Sequence, residues 1–148
     1  MNRRTALKTL LGGAIALSGM VPLSVLANVN NKLMEKMAAI DAINAITNGK
    51  HTTSDDLKLQ SPKLAENGSQ VPVSVNATAL NGVKSIFIIV HENIKPVAMR
   101  VDFDSDEVLA YASFRVKMGK PTKVTAIAHT SSGFVTTSTN TKVTKGGC

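Results

Sequence analysis

The sequence predicts a mainly β protein: an immunoglobulin-like antiparallel β-sandwich, with one N-terminal amphipathic α-helix before it and a flexible C-terminal arm after it. Three observations lead there. From Asp55 onward the apolar residues recur every second position, the spacing of a half-buried strand. Seven or so such segments follow one another at intervals of about 10–14 residues, with turn residues between them, as in small sandwiches. The 148 residues are 43% hydrophobic but only 3% aromatic, which gives a globular core of Val, Ile, Leu and Ala. This length suits one domain with small appendages. A small barrel is the alternative architecture.

Residues 1–27 read as an export signal that sends the chain to the periplasm. Arg3 and Arg4 form a basic start, Leu10 to Met20 an apolar stretch, and Val25-Leu26-Ala27 a cleavage site of small or β-branched residues. The segment Asn2-Arg3-Arg4-Thr5-Ala6-Leu7-Lys8 resembles a twin-arginine motif in its arginine pair, Leu7 and Lys8, and departs from it at Asn2 and Ala6. That route carries folded proteins, so a chain without a cofactor motif would use it together with an assembled partner. A retained anchor is the alternative, because Thr9 to Ala27 are 19 residues without a charge. Gly12, Gly13, Gly19 and Pro22 keep the hydropathy of that stretch modest. After signal cleavage no stable membrane association is expected.

The domain proper is expected over residues 28–143. Leu33, Met37, Ile40, Ile43 and Ile46 fall three and four apart, which predicts an amphipathic helix of about four turns. Asn48-Gly49 stops it. The helix packs on its own domain or, alternatively, on a partner. Leu57 and Leu59 then alternate with Lys58 and Gln60, and Val71, Val73, Val75 and Ala77 with Pro72, Ser74, Asn76 and Thr78. Val83 to Val90 is an almost unbroken apolar run, as in a strand covered on both faces. Val97 to Phe103, Leu109 to Lys117, Lys123 to His129 and Phe134 to Val143 complete the set, separated by Gly-, Asn-, Asp- and Ser-rich turns.

Residues 144–148 are expected to form the arm, Thr144-Lys145-Gly146-Gly147-Cys148. Gly146 and Gly147 give backbone freedom, and Cys148 is the only thiol in the chain. Counted from Thr144, an extended arm reaches roughly 13–14 Å. That geometry suits a thiol delivered into another protein's pocket. A dimerising disulfide and an incidental terminal cysteine are the alternatives.

The arrangement resembles the SoxY family, the sulfur carriers of the thiosulfate-oxidising Sox system, whose chains end in Gly-Gly-Cys-Gly-Gly. Gly146-Gly147-Cys148 matches the first three of those residues. Leu64-Ala65-Glu66-Asn67-Gly68-Ser69-Gln70-Val71-Pro72-Val73 and His91-Glu92-Asn93-Ile94-Lys95-Pro96-Val97-Ala98 also match, and the likeness extends over about residues 33–148. The two trailing glycines do not follow Cys148, either because this lineage has lost them or because the sequence is truncated. With Cys148 as the last residue, its carboxylate would disfavour the thiolate, while Lys145 would favour it from farther off.

The resemblance implies a covalent carrier rather than an enzyme, with no cofactor of its own. Cys148 would hold the sulfur, and Gly146 and Gly147 would form the flexible arm. It implies a heterodimer with a SoxZ-like subunit. It also implies transient docking to a haem-containing enzyme that couples thiosulfate to the thiol, and to a metal-dependent hydrolase that releases sulfate. From a different class, the alternative is an immunoglobulin-like periplasmic binding or structural module whose terminal Cys148 only makes an intermolecular disulfide.

Other chemistry finds little support. One cysteine excludes an internal disulfide and any Cys-rich zinc or iron–sulfur site. His51, His91 and His129 are widely spaced, which predicts surface or packing roles and no metal. Asp102, Asp104, Asp106 and Glu107 lack the Gly and distal Glu of a calcium loop. Hydrolase, Walker and dinucleotide fingerprints do not occur. The net charge of +7 drops once Arg3, Arg4 and Lys8 are set aside, leaving fourteen basic against ten acidic groups. With so few aromatics for base stacking, no nucleic-acid partner is expected. Lys117, Lys120 and Lys123 gather around one turn, as a solvated rim or a surface for an anionic partner.

Overall fold

The computed structural model of the chain describes residues 37–105 and 108–146. The expected export signal, the first part of the expected helix, the Asp106-Glu107 pair and Gly147-Cys148 therefore lie outside the described residues.

Helix α1 spans Ala39–Thr47. It starts later than the apolar spacing predicts, because Ala38 is extended (φ −71°, ψ 146°) and Met37 precedes it. Asp41 in the first turn complements the positive end of the helix. Asn48 then turns left-handed at φ 53°, followed by Gly49 at φ 72°, which ends the helix at the expected place. The buried stripe is Ala39, Ala42, Ile43, Ile46 and Thr47. Ile40, expected on that stripe, is 59% exposed.

Nine strands follow among the described residues: β1 Thr52–Thr53, β2 Lys58–Gln60, β3 Leu64–Ala65, β4 Val71–Asn76, β5 Val83–Val90, β6 Val97–Asp102, β7 Tyr111–Val116, β8 Thr122–Thr130 and β9 Gly133–Val143. The strands longer than two residues are those expected from the alternation. They make two sheets, one ordered β1-β9-β8-β5-β6 with β3 also on β9, the other β2-β4-β7. All pairings are antiparallel except β1 and β3, which run parallel to the two ends of β9. These short strands cover part of an edge that would otherwise expose unpaired N–H and C=O groups.

The sandwich core lies between the sheets. Val71, Val73 and Val75 of β4 and Val116 of β7 meet Ile86, Ile88 and Val90 of β5 and Val124, Ala126 and Ala128 of β8. A second cluster lies on the outer face of the larger sheet, where Phe87, Ile89 and Ile127 receive Ala42, Ile43 and Ile46 of α1. Strand β5 is thus buried on both faces, as its unbroken apolar run requires. Among the described residues no helix is long and apolar enough to cross a membrane.

Candidate functional site

The site starts where β9 ends. Lys142 and Val143 pair with Leu64 and Ala65 of β3, and the pairing continues past the strand. The Thr144 N–H donates to the Ala65 carbonyl at 3.1 Å, and its Oγ1 donates to the Glu66 carbonyl at 3.0 Å. The Lys145 carbonyl accepts the Gly68 N–H at 2.7 Å, and the Gly68 carbonyl in turn accepts the Met118 N–H at 2.7 Å. A Cβ built on Gly146 would overlap the Gly119 carbonyl oxygen. This corrects the expectation that the arm starts at Thr144. Thr144 and Lys145 are hydrogen-bonded to the body, and Gly146 packs against it.

Two connections form the wall beside Gly146. The β3–β4 connection is shaped by Asn67, whose Oδ1 accepts the Ser69 N–H at 2.9 Å and the Ser69 hydroxyl at 2.7 Å, an Asx turn that leads into the short 3-10 turn Gly68–Gln70. The β7–β8 connection carries Gly119 and is gripped by the loop after β5. Asn93 Nδ2 donates to the Lys117 carbonyl at 2.7 Å, and Asn93 Oδ1 accepts the Gly119 N–H at 3.4 Å. The Glu92 N–H donates to Thr122 Oγ1 at 3.1 Å, and Glu92 pairs with Lys120 at 3.0 Å. That pair is exposed on both sides and adds little by itself.

His91 in the same loop shares a hydrogen bond of 2.8 Å with Thr125 Oγ1, which lies 2.9 Å from Ser138 Oγ. Burial lowers the His91 pKa, the Lys123 ammonium lowers it further, and Glu92 opposes both. His129 stacks on Phe134 at 4.6 Å. Its pKa is lowered by burial, then by Lys84 and Arg100. His51 is exposed beside Thr52. Among the described residues no three His, Cys, Asp or Glu side chains come together to hold a metal. A cleft of about 410 Å³ at the other end of the sandwich is lined by Leu80, Asn81, Val108 and Leu109, with no titratable side chain among its described lining.

Of the residues expected to carry the chemistry, Gly146 is described and Gly147 and Cys148 are not. Covalent geometry alone keeps the Cys148 Cα within about 7 Å of the Gly146 Cα, two extended residues on. Gly68 and Asn93 lie inside the two strings that carry the family resemblance and Gly119 in a turn, but none of the three was expected at the base of the tail. The signal available for Gly119 and Gly146 was their lack of a side chain, which also permits close backbone approach.

Comparison with known proteins places this geometry. A family model described as sulfur oxidation protein SoxY matches residues 43–148. Among solved structures, the sulfur carrier protein SoxY from Chlorobium limicola f thiosulfatophilum is 25% identical with a TM-score of 0.63, covering 71% of this chain and 94% of its own. A superoxide reductase (neelaredoxin) from Ignicoccus hospitalis is 18% identical with a TM-score of 0.52, covering 76% and 97%. A variant of the same reductase is 19% identical with a TM-score of 0.53, covering 70% and 86%. These two share the fold alone. None of the curated proteins matches the chain.

Proposed function

The chain belongs to the SoxY family of sulfur oxidation proteins, and on that premise we propose that it is a periplasmic sulfur carrier whose Cys148 holds thiosulfate-derived sulfur covalently. The observation that carries this reading is the family match running through to Cys148, the only thiol in the chain. It ends a tail whose preceding residues are held on the body by backbone hydrogen bonds.

The chemistry needs a nucleophilic sulfur and separate enzymes. Thiolate and thiosulfate join through a new S–S bond, giving a cysteine S-thiosulfonate and releasing two electrons to a haem-containing coupling enzyme. Water then attacks the terminal sulfonate sulfur in a metal-dependent hydrolase. Sulfate and protons leave, and the electron pair of the cleaved S–S bond stays on the carrier as a persulfide. Sulfur suits both steps because S–S bonds form and exchange through thiolate attack. The carrier supplies no catalytic group, and Gly146 and Gly147 keep the approach to the thiol narrow. A SoxZ-like subunit exported with the chain is the proposed stable partner.

Replacement of Cys148 by Ser in a reconstituted thiosulfate-oxidising system tests the reading. An alcohol is a weaker nucleophile and forms no persulfide, so turnover should vanish while the melting temperature holds. Retained turnover would return the chain to a plain binding module.

A further inference from the structure

Two sequence strings that have no part in carrier chemistry, around residues 65–69 and 91–96, meet at the base of the tail. The first binds the backbone of Thr144 and Lys145 directly. The second acts one step removed. Gly146 abuts the Gly119 carbonyl, and Gly119 is exposed in the connection between β7 and β8, just past Met118, whose side chain is buried in the core. Met118 anchors the start of the connection, and the exposed backbone from Gly119 onward shifts readily unless something holds it.

Asn93 is in place to hold it. One side-chain amide donates to the Lys117 carbonyl at 2.7 Å and accepts the Gly119 N–H at 3.4 Å. Donor and acceptor on one short planar group match that backbone span, which a carboxylate or an alkyl side chain cannot do. The tether from Gly146 to the thiol is only two residues long. A wall that fixes Gly146 therefore fixes the centre of the volume the thiol explores. An enzyme that must meet this sulfur gains when that volume is narrow, because orientation lost before the encounter has to be recovered during it.

We propose, resting on the carrier reading, that Asn93 is a positioning residue for the Cys148 thiol: by bracing the Gly119 connection, it sets where the thiol-bearing tail leaves the body. It acts through Gly119 and takes no part in bond making.

The test compares the full-length wild type with Asn93→Ala and with Asn93→Asp, which keeps the volume but loses the donor. Amide hydrogen exchange at Gly68, whose N–H holds the Lys145 carbonyl, should accelerate roughly fivefold in both variants, the factor corresponding to one net hydrogen bond. Thiosulfate-dependent loading by the haem-containing coupling enzyme should fall by about fivefold, through a raised KM rather than kcat. Reaction of Cys148 with a small neutral dipyridyl disulfide needs no defined position and should stay at the wild-type rate, and the melting temperature should fall by no more than the few degrees that one hydrogen bond is worth. Unchanged exchange at Gly68 would overturn the inference, as would wild-type loading in either variant. A loss of loading matched by an equal loss of small-probe reactivity, or by a melting temperature lowered well beyond those few degrees, would overturn it too. A wild-type chain that takes up no sulfur removes the carrier reading and this inference with it, whereas equal loading of wild type and variants removes the inference alone.

Discussion

The Gly68 N–H lies 2.7 Å from the Lys145 carbonyl, three residues before the only cysteine of the chain. This bond shortens the tail. Counted from Gly146, the tether can carry the Cys148 Cα no farther than about 7 Å, half the reach of an arm free from Thr144 onward. On the carrier reading, a processing enzyme must then bring its site close to the Gly119 connection, since a long arm is not there to bridge the gap.

The first prediction follows from the packing of Gly146. Gly146→Ala places a methyl on the Gly119 carbonyl, and either the tail or the connection has to give. The expected cost is about 1 kcal/mol, at the low end for overpacking because the contact is at the surface. Urea denaturation measures it, with faster exchange at the Gly68 amide as the local sign. A stability equal to wild type, with unchanged exchange, would show that Gly146 does not dock.

The second prediction separates the two sides of the apolar pattern. Ile88 is 0% exposed in the sandwich core, and Ile88→Ala should cost about 3–4 kcal/mol through the cavity it leaves. Ile40→Ala, at an exposed helix position, should stay within about 0.5 kcal/mol of wild type. Equal losses at the two positions in urea denaturation would mean that α1 is buried on another face.

The apolar run of β5 announced its own environment. A strand that is apolar at odd and even positions needs two covers, and here the second sheet takes Ile86, Ile88 and Val90 while α1 takes Phe87 and Ile89. The face of α1 was harder to read. Ile40 keeps the three-residue spacing with Ile43, but the buried stripe runs through the small Ala39 and Ala42 instead. The two-residue strands β1 and β3 carry no periodicity to detect. The docking of Thr144 and Lys145 left little trace because it is made largely by backbone groups, whatever the side chains. Gly146 pointed to freedom in the sequence, and in the structure its missing side chain serves close contact.

The third prediction concerns pH. Burial lowers the pKa of both His91 and His129, with neighbouring cations adding to it. The unfolded chain, titrating near the ordinary histidine value, then binds protons that the folded chain refuses. Stability is complete above about pH 6.5, the unfolded value, and declines as the pH falls below it toward the depressed folded values. Urea midpoints should therefore drop between about pH 7.5 and pH 5, and the drop should shrink in the His91→Gln, His129→Gln double variant. An unchanged slope in that variant would assign the acid sensitivity to other groups.

Intact-mass spectrometry of the protein isolated from its native cells tests the central claim most directly. The account predicts mass additions of sulfur and of thiosulfonate on Cys148, removable by a thiol reductant and absent from Cys148→Ser. A reducible homodimer free of such adducts would contradict it.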